Sequence, residues 1–170
     1  MGDHSVPSIP KKRIKRAVSG LVLRILGKAF KALSKWENGV HKETQGWPEG
    51  ITITFAASPE GPWMSLSKKD DTLHYHGGVK TASPDILIQF KSIDAAFIVL
   101  TGRLSIHDAY ARHMFTLKGD IFFAMSPVRC MYLIEGALFP YFIFKKIFKR
   151  RPEKISKFRA YTGVLSSAKD

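Results

Sequence analysis

From Ile51 to Lys118 the chain contains short runs in which apolar and polar residues alternate with period two, separated by turn-forming residues. Such alternation turns one face of a strand inward and the other out, and it does not suit a helix, whose period is 3.6. Ile51-Thr-Ile-Thr-Phe55, Trp63-Met-Ser-Leu-Ser67 and Thr72-Leu-His-Tyr-His76 predict three strands of an antiparallel meander. Ser58-Pro-Glu-Gly-Pro62 and Lys69-Asp-Asp71 supply the turns, and Gly61 is free to take a positive φ. Asp85-Ile-Leu-Ile-Gln-Phe-Lys91 predicts a fourth strand after the breaker Ser83-Pro84, and Met114-Phe-Thr-Leu-Lys118 a fifth, closed by Gly119-Asp120.

Between the last two strands the punctuation is helical. Ser92 is placed to cap a helix with Asp94 near its positive end, and Thr101-Gly102 stops it. Ser105-Ile-His-Asp108 has the spacing of a capping box and starts a second helix through Tyr110 and Ala111. Ile121–Met125 opens a third, which Pro127 is expected to interrupt. The expected architecture is α+β: a five-stranded antiparallel sheet with helices covering one face.

Charge is divided along the chain. Residues 1–36 carry a net +8 and residues 145–170 a net +7, while residues 37–144 are close to neutral at −2, within a total of +13. A nucleic-acid domain spreads its cations over one face of its folded part, so two basic ends around a neutral body argue against that class. Near the N-terminus, Ile14, Val18, Leu21, Val22, Ile25, Leu26, Ala29, Leu33 and Trp36 follow helical spacing on one stripe. Arg24, Lys28, Lys31 and Lys35 recur on another face, and no acid occurs between Asp3 and Glu37. Gly20 and Gly27 each cost this helix about 1 kcal/mol relative to Ala, so it needs a surface to lie on, either the domain itself or a membrane. Arg24 and Lys28 interrupt the apolar stretch as a secretory signal would not, and Val6 breaks the myristoylation motif; an organellar transit peptide fits the composition. At the other end, residues 137–152 place five aromatic residues beside five cations. Rings favour the headgroup–acyl boundary and cations favour anionic headgroups, at about 1 kcal/mol per cation; the same mixture could stack on single strands or pack on the core. The expected membrane-contacting residues are Arg24, Lys28, Lys31, Lys35 and Trp36, with Phe139, Phe142, Phe144, Lys145, Lys146, Phe148, Lys149 and Arg150.

Motifs for catalysis or metal binding are weak. One cysteine, Cys130, excludes a disulfide scaffold and a Cys-rich zinc module, and points to a reducing compartment. No segment reaches 18 uncharged apolar residues, so no transmembrane helix is expected. His74 and His76 share a strand face at a spacing zinc sites use, but a third ligand from His107, Asp108 or His113 would have to come from the fold; two solvent-facing histidines are the simpler account. There is no Gly-x-Ser-x-Gly elbow, no His-Glu-x-x-His and no phosphate loop around Gly77-Gly78. Cys130 has Arg129 beside it but no assigned base. No enzyme activity, metal or cofactor is expected.

The segment from Asp85 to Met125 resembles the second half of the sterol carrier protein 2 (SCP2) domain. The matching pieces are Leu100-Thr-Gly-Arg-Leu104, Ala109-Tyr110 and Phe115-Thr-Leu-Lys-Gly-Asp120, and residues 51–80 fit that family's first three strands in order and length. The resemblance spans about residues 51–135 and leaves out both basic ends. It implies a sheet and helices enclosing an apolar tunnel for a lipid, sterol or isoprenoid chain, with no catalysis when the domain stands alone. Stand-alone bacterial members include accessory proteins of ubiquinone biosynthesis, and this chain is similar to them in layout. Strand alternation turns Ile51, Ile53, Phe55, Ile86, Ile88, Phe90, Phe115 and Leu117 to one side, with Phe97, Leu100, Leu104, Phe122 and Met125 facing them from helices. By itself this set could equally be a filled core; the resemblance makes it a tunnel lining.

The expected division is a basic amphipathic extension (1–45), a lipid-binding domain (46–136) and a basic aromatic tail (137–170). The expected partners are a lipid or isoprenoid ligand, an anionic membrane at the inner face of which the protein sits as a cytoplasmic peripheral component, and biosynthetic enzymes. A lipid-free scaffold recruiting such enzymes and a nucleic-acid binder using the basic ends are the competing readings.

Overall fold

The period-two runs form five strands, and five helices form around them, four from apolar stretches and one from the polar segment Asn38–Gln45. The computed structural model describes residues 9–138. In chain order these are α1 (Ile9–Leu33), α2 (Asn38–Gln45), β1 (Thr52–Ala56), β2 (Trp63–Lys69), β3 (Thr72–Tyr75) and β4 (Ile86–Phe90). They are followed by α3 (Ile93–Leu100), α4 (Ile106–Ala111), β5 (Phe115–Lys118) and α5 (Ile121–Leu138). Strand order across the sheet is β3-β2-β1-β4-β5. The meander is present, with β1–β2 and β2–β3 antiparallel, and β5 pairs antiparallel with β4.

The sheet is mixed, a correction to the antiparallel expectation. β4 runs parallel to β1, in the register Ile53↔Ile86 and Phe55↔Ile88. The connection after β3 carries the chain past β2 to the free edge of β1. This makes β1 and β4 the central pair, and both bury Ile and Phe on one face. The pair is tied at its start by Asp85, whose carboxylate accepts from the Thr52 amide and hydroxyl, each at 2.7 Å. These bonds hold the Asp85 carboxyl below the usual carboxylate range.

The helices α3 and α4 start as the punctuation predicts. Ser92 accepts from the Ala95 amide and Ser105 from the Asp108 amide, and the Ser105 hydroxyl donates to the Asp108 carboxylate. α5 differs from expectation: it runs unbroken through Pro127 to Leu138. A proline ring removes one backbone bond, yet Pro127 and its neighbours Ser126 and Val128 are buried, and packing on both sides holds the helix together. By length and composition α5 is the one described helix able to cross a bilayer, but half of it is buried within the domain.

Helix α1 packs across α3, β2 and β3. The expected single apolar stripe is split, because residues 14, 21 and 25 lie roughly 100° or more around the helix from Leu23, Leu26 and Phe30. Leu23, Leu26, Phe30 and Leu33 enter the core, whereas Ile14, Leu21 and Ile25 face water. α2 lies against α5. The Trp47 indole N–H donates to the Ser126 hydroxyl, which donates to Glu43, both at 2.7 Å, and Arg129 donates twice to Glu43 at 2.8 Å. The buried Lys68 ammonium donates to the carbonyls of Thr44, Gln45 and Trp47 and so closes the end of α2.

Candidate functional site

The site the sequence points to is the layer between the inner face of the sheet and the helices above it. Each strand contributes buried residues: Ile53 and Phe55 from β1, Met64 and Leu66 from β2, Leu73 from β3, Ile86, Ile88 and Phe90 from β4, and Phe115 from β5. Helix α3 turns Ala95, Ala96, Val99 and Leu100 inward, and α1 supplies Leu23, Leu26 and Phe30.

Of the expected lining residues, Ile51, Ile53, Phe55, Ile86, Ile88, Phe90, Leu100 and Phe115 all belong to this interior cluster, none more than 8% exposed. Leu104 and Leu117 are half-buried against it. The rings pack on one another, with Phe30–Phe55 centroids 5.9 Å apart and Phe90–Phe115 centroids 5.4 Å apart in an edge-on arrangement. Two clefts among the described residues open at the edges of this layer and share residues with it. One is bordered by Ser34, His41 and Leu73, the other by Pro48, Ile51, Ile86 and Phe123.

Three expected lining residues are elsewhere. Phe122 is 81% exposed. Met125 is half-buried outside the interior cluster, and both sit on the arc of α5 shared with exposed Arg129. The sequence periodicity of α5 misleads because the helix is buried on two sides, against α2 and against the sheet and α4, leaving a narrow solvent arc. Phe97 sits one position off the buried face of α3, near the surface, with the Lys15 ammonium 5.8 Å and the Arg103 guanidinium 5.4 Å from its centroid.

The layer also holds a residue that strand and stripe patterns do not reveal. Glu135, on the inward arc of α5 with Val128 and Met131, is fully buried, and its Oε1 has no hydrogen-bond partner among the described residues. Burial pushes its carboxyl well above the usual carboxylate range. Its one signal in the sequence is an acid in an otherwise apolar helical run. Leu23, Phe30, Met64 and Leu66 were likewise not singled out as lining residues.

Among the expected membrane-contacting residues, Arg24, Lys35 and Trp36 are exposed, and Lys28 and Lys31 are half-buried on α1. Phe139, Phe142, Phe144, Lys145, Lys146, Phe148, Lys149 and Arg150 lie outside the described residues. His74 and His76 are exposed and bond to Thr72 and Ser67 rather than to each other. Among the described residues no three His, Cys, Asp or Glu side chains converge as metal ligands would. Burial pushes the Cys130 thiol far up, out of reach of a nucleophile's range.

No protein-family model matches the chain, and no curated protein matches it. Solved structures similar to it are sterol carrier protein 2 domains. Sterol carrier protein 2 like 2 from Aedes aegypti is 14% identical, covering 54% of this chain and 92% of its own, at a TM-score of 0.35. The ubiquinone synthesis protein UbiJ-SCP2 is 12% identical, covering 74% and 96%, at a TM-score of 0.37. The sterol carrier protein domain 2 of Helicoverpa armigera is 15% identical, covering 82% and 99%, at a TM-score of 0.39. What the chain binds has to be argued from its own residues.

Proposed function

We propose that this protein is a non-catalytic binding domain for the apolar chain of a lipid, sterol or isoprenoid, held at an anionic membrane by its basic ends. The observation that carries the reading is the convergence of the strand residues Ile53, Phe55, Ile86, Ile88, Phe90 and Phe115 with Leu100 on one apolar layer between sheet and helices. That layer is of the kind the Leu100–Leu104 and Phe115–Asp120 motifs imply. Transfer of an apolar chain into such a layer gains about 25 cal/mol per Å² removed from water. The lining side chains are removed from water, and the cleft bordered by Pro48, Ile51, Ile86 and Phe123 reaches the edge of the layer. The cytoplasmic, peripheral placement and a role beside isoprenoid-quinone enzymes belong to the same proposal.

The close ring packing favours a second reading, a scaffold with a filled core that carries no lipid. Native mass spectrometry with lipid extraction, on protein purified without detergent and then incubated with a prenylated phenol, separates the two. A stoichiometric lipid on the protein, retained or taken up, is the expected result. Protein that stays empty after incubation with prenylated phenol, sterol and fatty acid would leave the scaffold reading.

A further inference from the structure

Among the described residues three buried side-chain polar atoms have no hydrogen-bond partner: the hydroxyl oxygens of Ser19 and Tyr75 and Oε1 of Glu135. A helical serine such as Ser19 can turn its hydroxyl to a carbonyl of the preceding turn. The Tyr75 ring is placed by its packing against Gly27. The Glu135 carboxyl has no such local account, and it is the costliest of the three to leave without a partner. At 100° per residue Glu135 lies roughly 160° or more around α5 from Ser126 and Leu133, which meet Glu43 and Gly39 of α2. It lies within roughly 40° of Val128 and Met131, both fully buried in the interior cluster. On the other side Tyr132 meets His107 of α4, with ring centroids 4.5 Å apart. Exposure rises along this row, from buried Glu135 through half-buried Tyr132 to exposed His107.

We infer that Glu135 is the polar anchor of the apolar layer and takes the hydroxyl head of an uncharged lipid alcohol, such as an isoprenoid alcohol, a phenol or a sterol. The inference rests on the lipid-binding part of the proposed function and deepens it by naming the head of the ligand. A hydroxyl both donates and accepts, so it satisfies a carboxyl oxygen whether or not the acid carries its proton. A carboxylate or phosphate head would set a second acid beside the first with no cation to offset it. Lys68 is the one buried cation among the described residues, and its ammonium is taken up by the carbonyls of Thr44, Gln45 and Trp47 and by Asp71 at 2.9 Å. Arg129 is committed to Glu43 on the α2 side. An amine head would form a buried ion pair whose desolvation cost rivals its attraction. Burial also raises the carboxyl, the direction that favours an uncharged partner.

The test is uptake by the full chain, read by native mass spectrometry. The probes are geranylgeraniol and cholesterol, each beside the hydrocarbon that lacks its hydroxyl, and geranylgeranyl phosphate. Wild type is compared with Glu135→Leu and Glu135→Gln after thermal melting shows each variant folded. The wild type is expected to prefer at least one alcohol over its hydrocarbon, and geranylgeraniol over its phosphate, by about tenfold or more, because the hydrocarbon leaves the carboxyl unpaired. Glu135→Leu should take up alcohol and hydrocarbon alike, and Glu135→Gln, whose amide also donates and accepts, should keep the preference. A purely structural role for Glu135 would change uptake of all probes together and leave their ratio unmoved. Alcohol and hydrocarbon bound equally by the wild type, a preference that survives in Glu135→Leu, or phosphate bound as well as alcohol would overturn the anchor while leaving lipid binding intact. A wild type that takes up none of the probes would overturn both.

Discussion

Glu135 and Glu43 lie on the same helix pair and respond to pH in opposite senses. The Arg129 side chain, bonded twice to Glu43, holds that carboxyl below its ordinary range, so its contribution to stability is present at neutral pH and is lost as pH falls through the folded value. Glu135 is raised by burial, so the folded state holds a proton that the unfolded chain releases. Its effect is therefore least costly below the unfolded value, and stability declines as pH rises above it, by up to about 1.4 kcal/mol per unit until the folded group ionises. Glu135→Gln should flatten that decline in urea midpoints measured from pH 5 to 8. Glu135→Leu should raise stability at pH 8 by about 1–3 kcal/mol, because it removes an unpaired buried polar group. An unchanged pH slope in Glu135→Gln would show that the carboxyl is not held neutral by the fold. The acid itself is visible in the sequence, but its burial is not, since helical period alone does not say how many sides of α5 are covered.

Among the elements, α1 and β3 show why a residue of low helix propensity sits in a long helix. A Cβ at Gly27 would lie 2.3 Å from Cε2 of Tyr75 and 2.5 Å from its Cδ2, so the glycine lets the β3 ring pack flush against α1. Gly27→Ala should therefore destabilise the protein by about 1–3 kcal/mol through overpacking, despite a propensity gain of about 1 kcal/mol. In the background of Tyr75→Ala the same substitution should become neutral or stabilising. A double-mutant cycle in denaturant measures this, and additive effects would mean that the ring and the glycine are not coupled. The boundaries of the five strands and the Ser92 and Ser105 caps were legible to within a residue or two, because period two and capping chemistry are local properties. The role of Gly27 was not, because it depends on an aromatic ring 48 positions further along the chain.

For the whole molecule, α1 is part of the core and not a detachable arm. Phe30 meets Phe55 of the central strand, and Leu23, Leu26 and Leu33 are removed from water with it. At about 1.5–3 kcal/mol for each fully buried large apolar side chain, these four contribute as much as the net stability of an ordinary domain. A chain lacking residues 1–33 is expected to lose its cooperative thermal transition and to bind a hydrophobic dye. A sharp transition near the wild-type temperature would show that the rest of the chain holds together without α1.

What the sequence by itself determined is everything that rests on neighbours along the chain. This covers the strand runs, the positive φ at Gly61, the caps, the inward set from Ile53 to Phe115, and the concentration of charge at the two ends. The tertiary structure decided three matters that depend on distant partners. It placed β4 parallel to β1, continued α5 through Pro127, and chose Leu23, Leu26 and Phe30 over Ile14, Leu21 and Ile25 as the core face of α1. In α1 the reason is geometric. A long helix with apolar residues on two arcs has two candidate core faces, and only the shape of the surface it meets, with Tyr75 against Gly27 and Phe55 against Phe30, selects between them.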